Sequence, residues 1–260
     1  MAIGQRNSRS MRTHFWTRVD GQLVYRNLAA EEHAYRHEII PSWMAKKIDE
    51  PVVIYYEIYD AHSADYIGDC MYQWENCTIQ PGDVVVDLGA NIGIFSNKAS
   101  ELGASKIYSF EPVKENFELL MLNRPANCEP FKLAVGSEDL QSFNISYKAD
   151  APGGSSLIKY DDGALQPCLT VTLDTLLSNG LIEKIDFLKV DIEGAEVMAF
   201  NGISDDNLKN IRCISMEIHS PEIGEEGKNY IYNRLHGLGF KSFTVTQSGG
   251  YNQAFFWQNK

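Results

Sequence analysis

The chain has 260 residues, 44% hydrophobic and 22% charged, with 35 acidic side chains against 23 basic ones and a formal charge of −12. That length buries enough apolar surface for one large or two small domains without disulfide or metal staples. The acidic balance argues against a broad grip on nucleic acid or anionic lipid, which runs on clustered Lys and Arg.

Residues 1–19 carry Arg6, Arg9, Arg12 and Arg18 and no acid, yet lack the apolar core of a secretory signal, so they read as a flexible arm. No apolar run approaches the roughly 18 residues of a membrane span. The five cysteines include no C-x-x-C pair, which fits reduced thiols in a cytoplasmic protein better than a disulfide framework or structural zinc. Glu31 to Ile40 reads as a short helix. Its His33 and His37 lie one turn apart, but with no third ligand nearby they suit a solvated face better than a metal. Pro51 to Tyr59 has the β-branched and aromatic density of a strand. Trp43, Tyr55, Tyr56, Tyr59, Tyr66, Tyr72 and Trp74 suit core or lid packing, or the wall of an acceptor pocket. Residues 1–78 are thus expected to be an extension serving as a lid, substrate or dimer element, with a homodimer among the arrangements it permits.

The character changes at Ile79-Gln80-Pro81-Gly82-Asp83, a turn. From there to residue 260 short apolar runs alternate with helical patterns. Val84 to Leu88 is a strand, followed by a helix with Phe95, Ala99 and Leu102 on one face. Lys106 to Phe110 is the next strand, and Val113, Phe117, Leu120 and Met121 mark the next helix face. The alternation continues with Phe131 to Val135, with Ile185 to Val190 before Ala195 to Phe200, and with Ile211 to Ile218 before Tyr230 to Leu235. Such a pattern predicts an α/β fold with a parallel sheet covered by helices on both faces. Residues 141–170 lose the helical period and read as a hairpin or long loop inserted in the sheet. Within them Gly153-Gly154-Ser155-Ser156 has the composition of a substrate loop or a plain turn, and Ser155 is a candidate substrate residue. Lys241 to Thr246 and Gln253 to Trp257 are joined by too short a link for a parallel crossover, so this last pair is antiparallel.

Asp87-Leu88-Gly89-Ala90-Asn91-Ile92-Gly93 lies where a parallel strand passes into a helix, the edge at which open α/β sheets bind ligands. A dinucleotide fingerprint starting at Gly89 would need glycines at Asn91 and Ile94, which disfavours a nicotinamide oxidoreductase. An acid two residues before the first glycine favours a ligand carrying ammonium and sulfonium charge, as S-adenosylmethionine does. Glu111, ending the next strand, suits the hydroxyls of an adenosine ribose.

The segments V-V-V-D-L-G-A-N-I-G-I-F-S, S-F-E-P-V, L-A-V-G-S, V-T-L-D-T-L-L and I-D-F-L-K-V-D-I-E-G-A-E, in this order between residues 84 and 196, resemble the FkbM family of S-adenosylmethionine-dependent methyltransferases. The resemblance implies a class I methyltransferase (Rossmann-like) fold: a seven-stranded, mostly parallel sheet closed by the antiparallel hairpin. It also implies methyl transfer to a hydroxyl of a sugar, lipid or polyketide. Carried over by motif, Asp87, Gly89, Asn91 and Gly93 would line the methionine part of the cofactor, Glu111 the ribose, and Ala134 with Val135 the adenine. Ala90 and Asp191 join that cofactor-binding set.

Asp191 and Glu193 end one strand and Glu217 and His219 the next, each pair at i, i+2 spacing and so on one side of an extended chain. Residues 191–230 hold nine acids against three bases, half of the whole chain's net charge. His219 is the natural candidate base and Asp191 the alternative. Glu193 and Glu217 are expected to face the substrate, with pairing to Lys189 or capping of the following helix as the alternatives for Glu193. Asp191, Glu217 and His219 would also offer a mixed O/N set to a divalent cation. The expected partner is a small-molecule or glycan acceptor, with no nucleic acid and no membrane span. A catalytically silent cofactor-binding module is the rival reading, and a nucleic-acid methyltransferase using the basic arm is disfavoured by the acidic edge.

Overall fold

The computed structural model describes residues 72–73, 76–147, 164–246 and 251–258, together with the backbone of three strands nearer the N-terminus. It separates into two compact units, Met1–Met71 and Tyr72–Lys260. In the first, β1 (Arg12–Val19) pairs antiparallel with β2 (Gln22–Asn27) on one side and β3 (Ile54–Ile58) on the other. The expected strand within 51–59 is present. The expected flexible arm is corrected over Arg12–Val19, where alternate Thr13, Phe15 and Thr17 supply strand-forming residues that composition alone did not register. The proposed helix at 31–40, His33 and His37, and Ser155 lie outside the described residues.

The second unit is built on a seven-stranded sheet. In chain order its elements are β4 (Val84–Leu88), α1 (Ile94–Glu101), β5 (Lys106–Phe110), α2 (Lys114–Asn123) and β6 (Cys128–Phe131). After the short β7 (Ala134–Val135) come β8 (Ser142–Tyr147), β9 (Ala164–Val171), α3 (Leu173–Ser178), β10 (Phe187–Val190), α4 (Glu196–Asn201) and α5 (Asp205–Leu208). The unit closes with β11 (Cys213–His219), α6 (Ser220–Gly237), β12 (Lys241–Thr246) and β13 (Tyr251–Trp257). The sheet order is β12-β13-β11-β10-β4-β5-β6, parallel from β11 to β6 and antiparallel where β13 meets both β11 and β12. Two details differ from the sequence reading. Phe131 to Val135 divides into β6 and β7 on separate sheets, and the 141–170 insertion is a hairpin, β8 and β9, that pairs with β7 instead of entering the main sheet. Met121, assigned to the buried face of α2, is 41% exposed, while Leu120 beside it is buried.

The two faces of the sheet are unlike. One carries Val84, Val86 and Leu88 with Tyr108, Phe110, Leu188, Val190, Ile214, Met216 and Ile218, all in the main core. The opposite face begins apolar, with Val85, Ile107, Phe187, Cys213 and Phe255, and becomes polar toward the carboxyl ends. There the register sets Ser109 beside Asp87, Asp87 beside Lys189, and Lys189 beside Ser215, a row across four central strands that is buried throughout. Lys189, 3% exposed, lies 3.1 Å from Asp87 and donates to the Leu88 and Gly89 carbonyls at 3.2 and 2.7 Å. Asp87 also accepts from Ser96 at 2.6 Å, tying α1 to the row.

Removing one member of a buried ion pair leaves an uncompensated charge, which costs about 3–5 kcal/mol. Lys189→Met is therefore expected to lower unfolding free energy by that order in urea denaturation. The double variant Lys189→Met/Asp87→Asn should recover a substantial part of the loss.

Candidate active site

The carboxyl ends of β4, β5 and β10 and the small sheet bound an open cleft of about 660 Å³, part of it exposed to solvent. The turn after β4 forms one wall. Gly89 adopts φ +73°, and a Cβ there would fall 1.8 Å from the Asp191 carbonyl oxygen, so only glycine lets this turn press against the end of β10. The Gly89 and Ala90 N–H groups both donate to the Phe110 carbonyl at 3.0 Å. Asn91 is itself left-handed at φ 49°. Two buried asparagines brace the turn from behind: Asn97 donates to the Gly93 and Asn123 carbonyls, and Asn123 donates to the Ile92 carbonyl, each at 2.8 Å. Neither was singled out from sequence; an amide on the inward side of an amphipathic helix was the available signal.

Glu111 stands across from the turn. Its two carboxylate oxygens accept from the Asn91 and Val113 N–H groups at 2.8 and 2.9 Å, which fixes the carboxylate at the cleft. Burial drives its pKa up to about 7 against the pull of those N–H groups and of Lys189. Beside it Val113, Leu133, Ala134, Val135 and Ile145 form an apolar slot.

Gly89, Asn91, Glu111, Ala134, Val135, Asp191 and Glu193 all line this cleft. Asp87, Ala90 and Gly93, expected there as well, do not. Asp87 is fully buried against Ser96 and Lys189, Ala90 is buried within the turn, and Gly93 starts α1 in a left-handed conformation packed on Leu120. Their part is to hold the turn, so the direct contact assigned to Asp87 is corrected.

The acidic edge is more ordered than its sequence suggested. Asp191 accepts from the Tyr72 hydroxyl at 2.7 Å and lies 3.7 Å from Lys189. His219, 2% exposed, is gripped on both ring nitrogens, with Nδ1 2.7 Å from Glu196 and Nε2 3.2 Å from Glu193. Burial alone would depress the imidazole pKa, but the two carboxylates push it up to about 12. His219 is thus an imidazolium with no lone pair to give, and its expected role as base is corrected. The same fact bears on a metal. Ligand atoms of Asp191, Glu217 and His219 do lie within 4.8 Å of one another, the expected mixed set, and a cation there would compete with a carboxylate for His219. Glu193 pairs with His219 and has a left-handed φ of 50°.

A sheet in this order, with a glycine turn after one central strand and an acid ending the next, defines a class I methyltransferase. The chain belongs to the FkbM methyltransferase family: the Methyltransferase FkbM domain matches residues 87–242. Among its relatives, the hexuronic acid methyltransferase AglP of Haloferax volcanii is 28% identical over 145 residues, 53% of this chain and 56% of that protein. The AMB antimetabolite synthetase AmbE of Pseudomonas aeruginosa is 24% identical over 217 residues, 68% of this chain and 10% of that protein. The 31-O-demethyl-FK506 methyltransferase FkbM of Streptomyces tacrolimicus is 25% identical over 203 residues, 65% of this chain and 78% of that protein. The chain therefore spans about half the length of AglP and a tenth of AmbE. Among the described residues no helix is long and apolar enough to cross a membrane.

His219 sets a pH dependence of stability. Its folded pKa is raised from an ordinary 6.5 to about 12, so the native state holds a proton that the unfolded chain releases above pH 6.5. The stabilisation is full below pH 6.5 and falls as pH rises toward 12. In urea unfolding, the stability of the protein relative to His219→Gln should be greatest near pH 6 and shrink by pH 9.

Proposed function

We propose that this protein transfers a methyl group from S-adenosylmethionine to a hydroxyl oxygen of a small molecule or glycan. The observation that carries the reading is Glu111, a buried carboxylate held by two backbone N–H groups beside an apolar slot. A carboxylate oxygen accepts more than one hydrogen bond, so Glu111 retains capacity for ribose hydroxyls, while Val113, Ala134, Val135 and Ile145 suit an adenine face. At the other end the Gly89–Asn91 backbone and the anionic Asp191 suit the amino-acid portion and the positive sulfur. When bound, the donor supplies an electrophilic methyl carbon on a sulfonium that leaves as a neutral thioether. The protein orients the donor with Glu111 and the glycine turn and balances its charge with Asp191. It then presents an acceptor oxygen in line with the methyl.

Support for an oxygen acceptor comes from the relatives, since AglP is named for hexuronic acid and the Streptomyces protein for a demethylated oxygen of FK506. A cytoplasmic setting and the role of residues 1–78 as lid or dimer element belong to the same reading. Isothermal titration is expected to show S-adenosylmethionine binding, and its absence would refute the reading. In Glu111→Ala the affinity should fall by about ten- to a hundredfold, the worth of one or two hydrogen bonds to a charged group. Unchanged affinity would remove Glu111 from the ribose.

A further inference from the structure

Tyr72, the first residue of the second unit, stands at the carboxyl end of β10. Its position is set from several sides. The ring meets Phe95 of α1 edge-on, with centroids 5.4 Å apart, and lies 5.2 Å from the Lys189 ammonium. Further along the same segment, the Cys77 thiol donates to the Ile214 carbonyl at 3.6 Å and Arg212 donates to the Thr78 carbonyl at 3.0 Å, both near the start of β11. The Tyr72 hydroxyl donates to Asp191 Oδ2 at 2.7 Å, the oxygen that also lies 3.7 Å from Lys189. The second oxygen, Oδ1, has no hydrogen bond or ion pair among the described residues, and Asp191 lines the cleft beside Gly89 and Asn91.

We propose that Tyr72 is a positioning residue: its hydroxyl fixes the Asp191 carboxylate with Oδ2 held inward and Oδ1 open to the cleft, so that the site prefers the sulfonium donor over the neutral thioether product. This rests on the methyl-transfer reading above. A carboxylate 3.7 Å from an ammonium is drawn toward it. Without the phenol, Asp191 is free to turn onto Lys189 and take its charge away from the cleft. With the phenol in place, Oδ2 is already occupied and the carboxylate keeps one orientation. A fixed anion attracts the donor while the sulfur is positive, and that attraction ends once the methyl has left. Tyr72 therefore acts through Asp191 on the difference between donor and product, and not on the shape that the two compounds share.

Isothermal titration of the full chain with S-adenosylmethionine and with S-adenosylhomocysteine tests this, through the ratio of the product Kd to the donor Kd. The two compounds differ by one methyl and its charge. A general loss of fit weakens both and leaves the ratio unchanged, whereas loss of an aimed charge lowers it. Tyr72→Phe keeps the ring and removes the hydroxyl, and should lower the ratio by about three- to tenfold. Asp191→Asn removes the charge and should lower it by about tenfold or more, and adding Tyr72→Phe to that variant should change it by less than about threefold. Tyr72→Leu serves in place of Tyr72→Phe should the latter not fold. A ratio within threefold of wild type in Tyr72→Phe or in Asp191→Asn overturns the proposal, as does a threefold or larger further fall when the two are combined. Failure of the methyl-transfer reading registers separately, as wild-type protein that binds neither compound.

Discussion

One buried ammonium group organises the ligand edge of this protein. Lys189 reaches from β10 to the Asp87 carboxylate on β4, to the Leu88 and Gly89 carbonyls at the exit of that strand, and toward Asp191 on its own strand. A lysine so deep is costly to desolvate, and the cost is offset only where each of its donors finds an oxygen. The consequence is geometric. The exit of β4, the glycine turn and the end of β10 are fixed to a single point, and the turn can press on the Asp191 carbonyl only because residue 89 lacks a side chain.

The same logic operates one strand further on, at higher charge. Around the ends of β10 and β11 stand Asp191, Glu193, Glu196 and Glu217, with His219 among them. An acidic cluster of this density would repel itself apart were it not for the imidazolium held between two of its members. Half of the chain's net charge falls in residues 191–230, and the structure shows part of it neutralised internally. What remains for ligands is Asp191, with Glu217 beside it. The edge consequently keeps a net negative charge at the cleft.

The strands and the ligand edge were legible in the sequence because they depend on local pattern. Continuous apolar runs marked β4, β5, β10 and β11, and the short link before β13 required an antiparallel hairpin. Gly89, Asn91 and Glu111 were legible as cleft residues because a turn after a parallel strand has a fixed location in this architecture, whereas Ala134 and Val135 followed only from the family resemblance. The chemistry of individual side chains was not. Spacing placed His219 at the correct strand end, but whether its nitrogens are open depends on Glu196, a residue on another element facing it across 23 positions. Asp87 showed as an acid at the right place, yet its burial depends on Ser96 and on Lys189, 102 positions away. Tyr72 was visible only as one aromatic in a run, and its hydroxyl bond to Asp191 joins residues 119 apart.

The two-residue strand β7 belongs to two structures at once. Ala134 and Val135 wall the apolar slot, and they pair in register with Thr170 and Val171 at the root of the β8–β9 hairpin. The base of that hairpin therefore shares its backbone hydrogen bonds with the slot, so it cannot slip by a residue without turning the slot's wall inside out. Farther along the described strands, Ile145 still walls the slot, and Gln166 opposite it accepts from the Lys114 N–H and donates to Glu115 on α2. In evolutionary terms both described strands are stock and not branch: the root is bound to the slot through β7, and the stretch at Ile145 and Gln166 is bound to the slot and to α2.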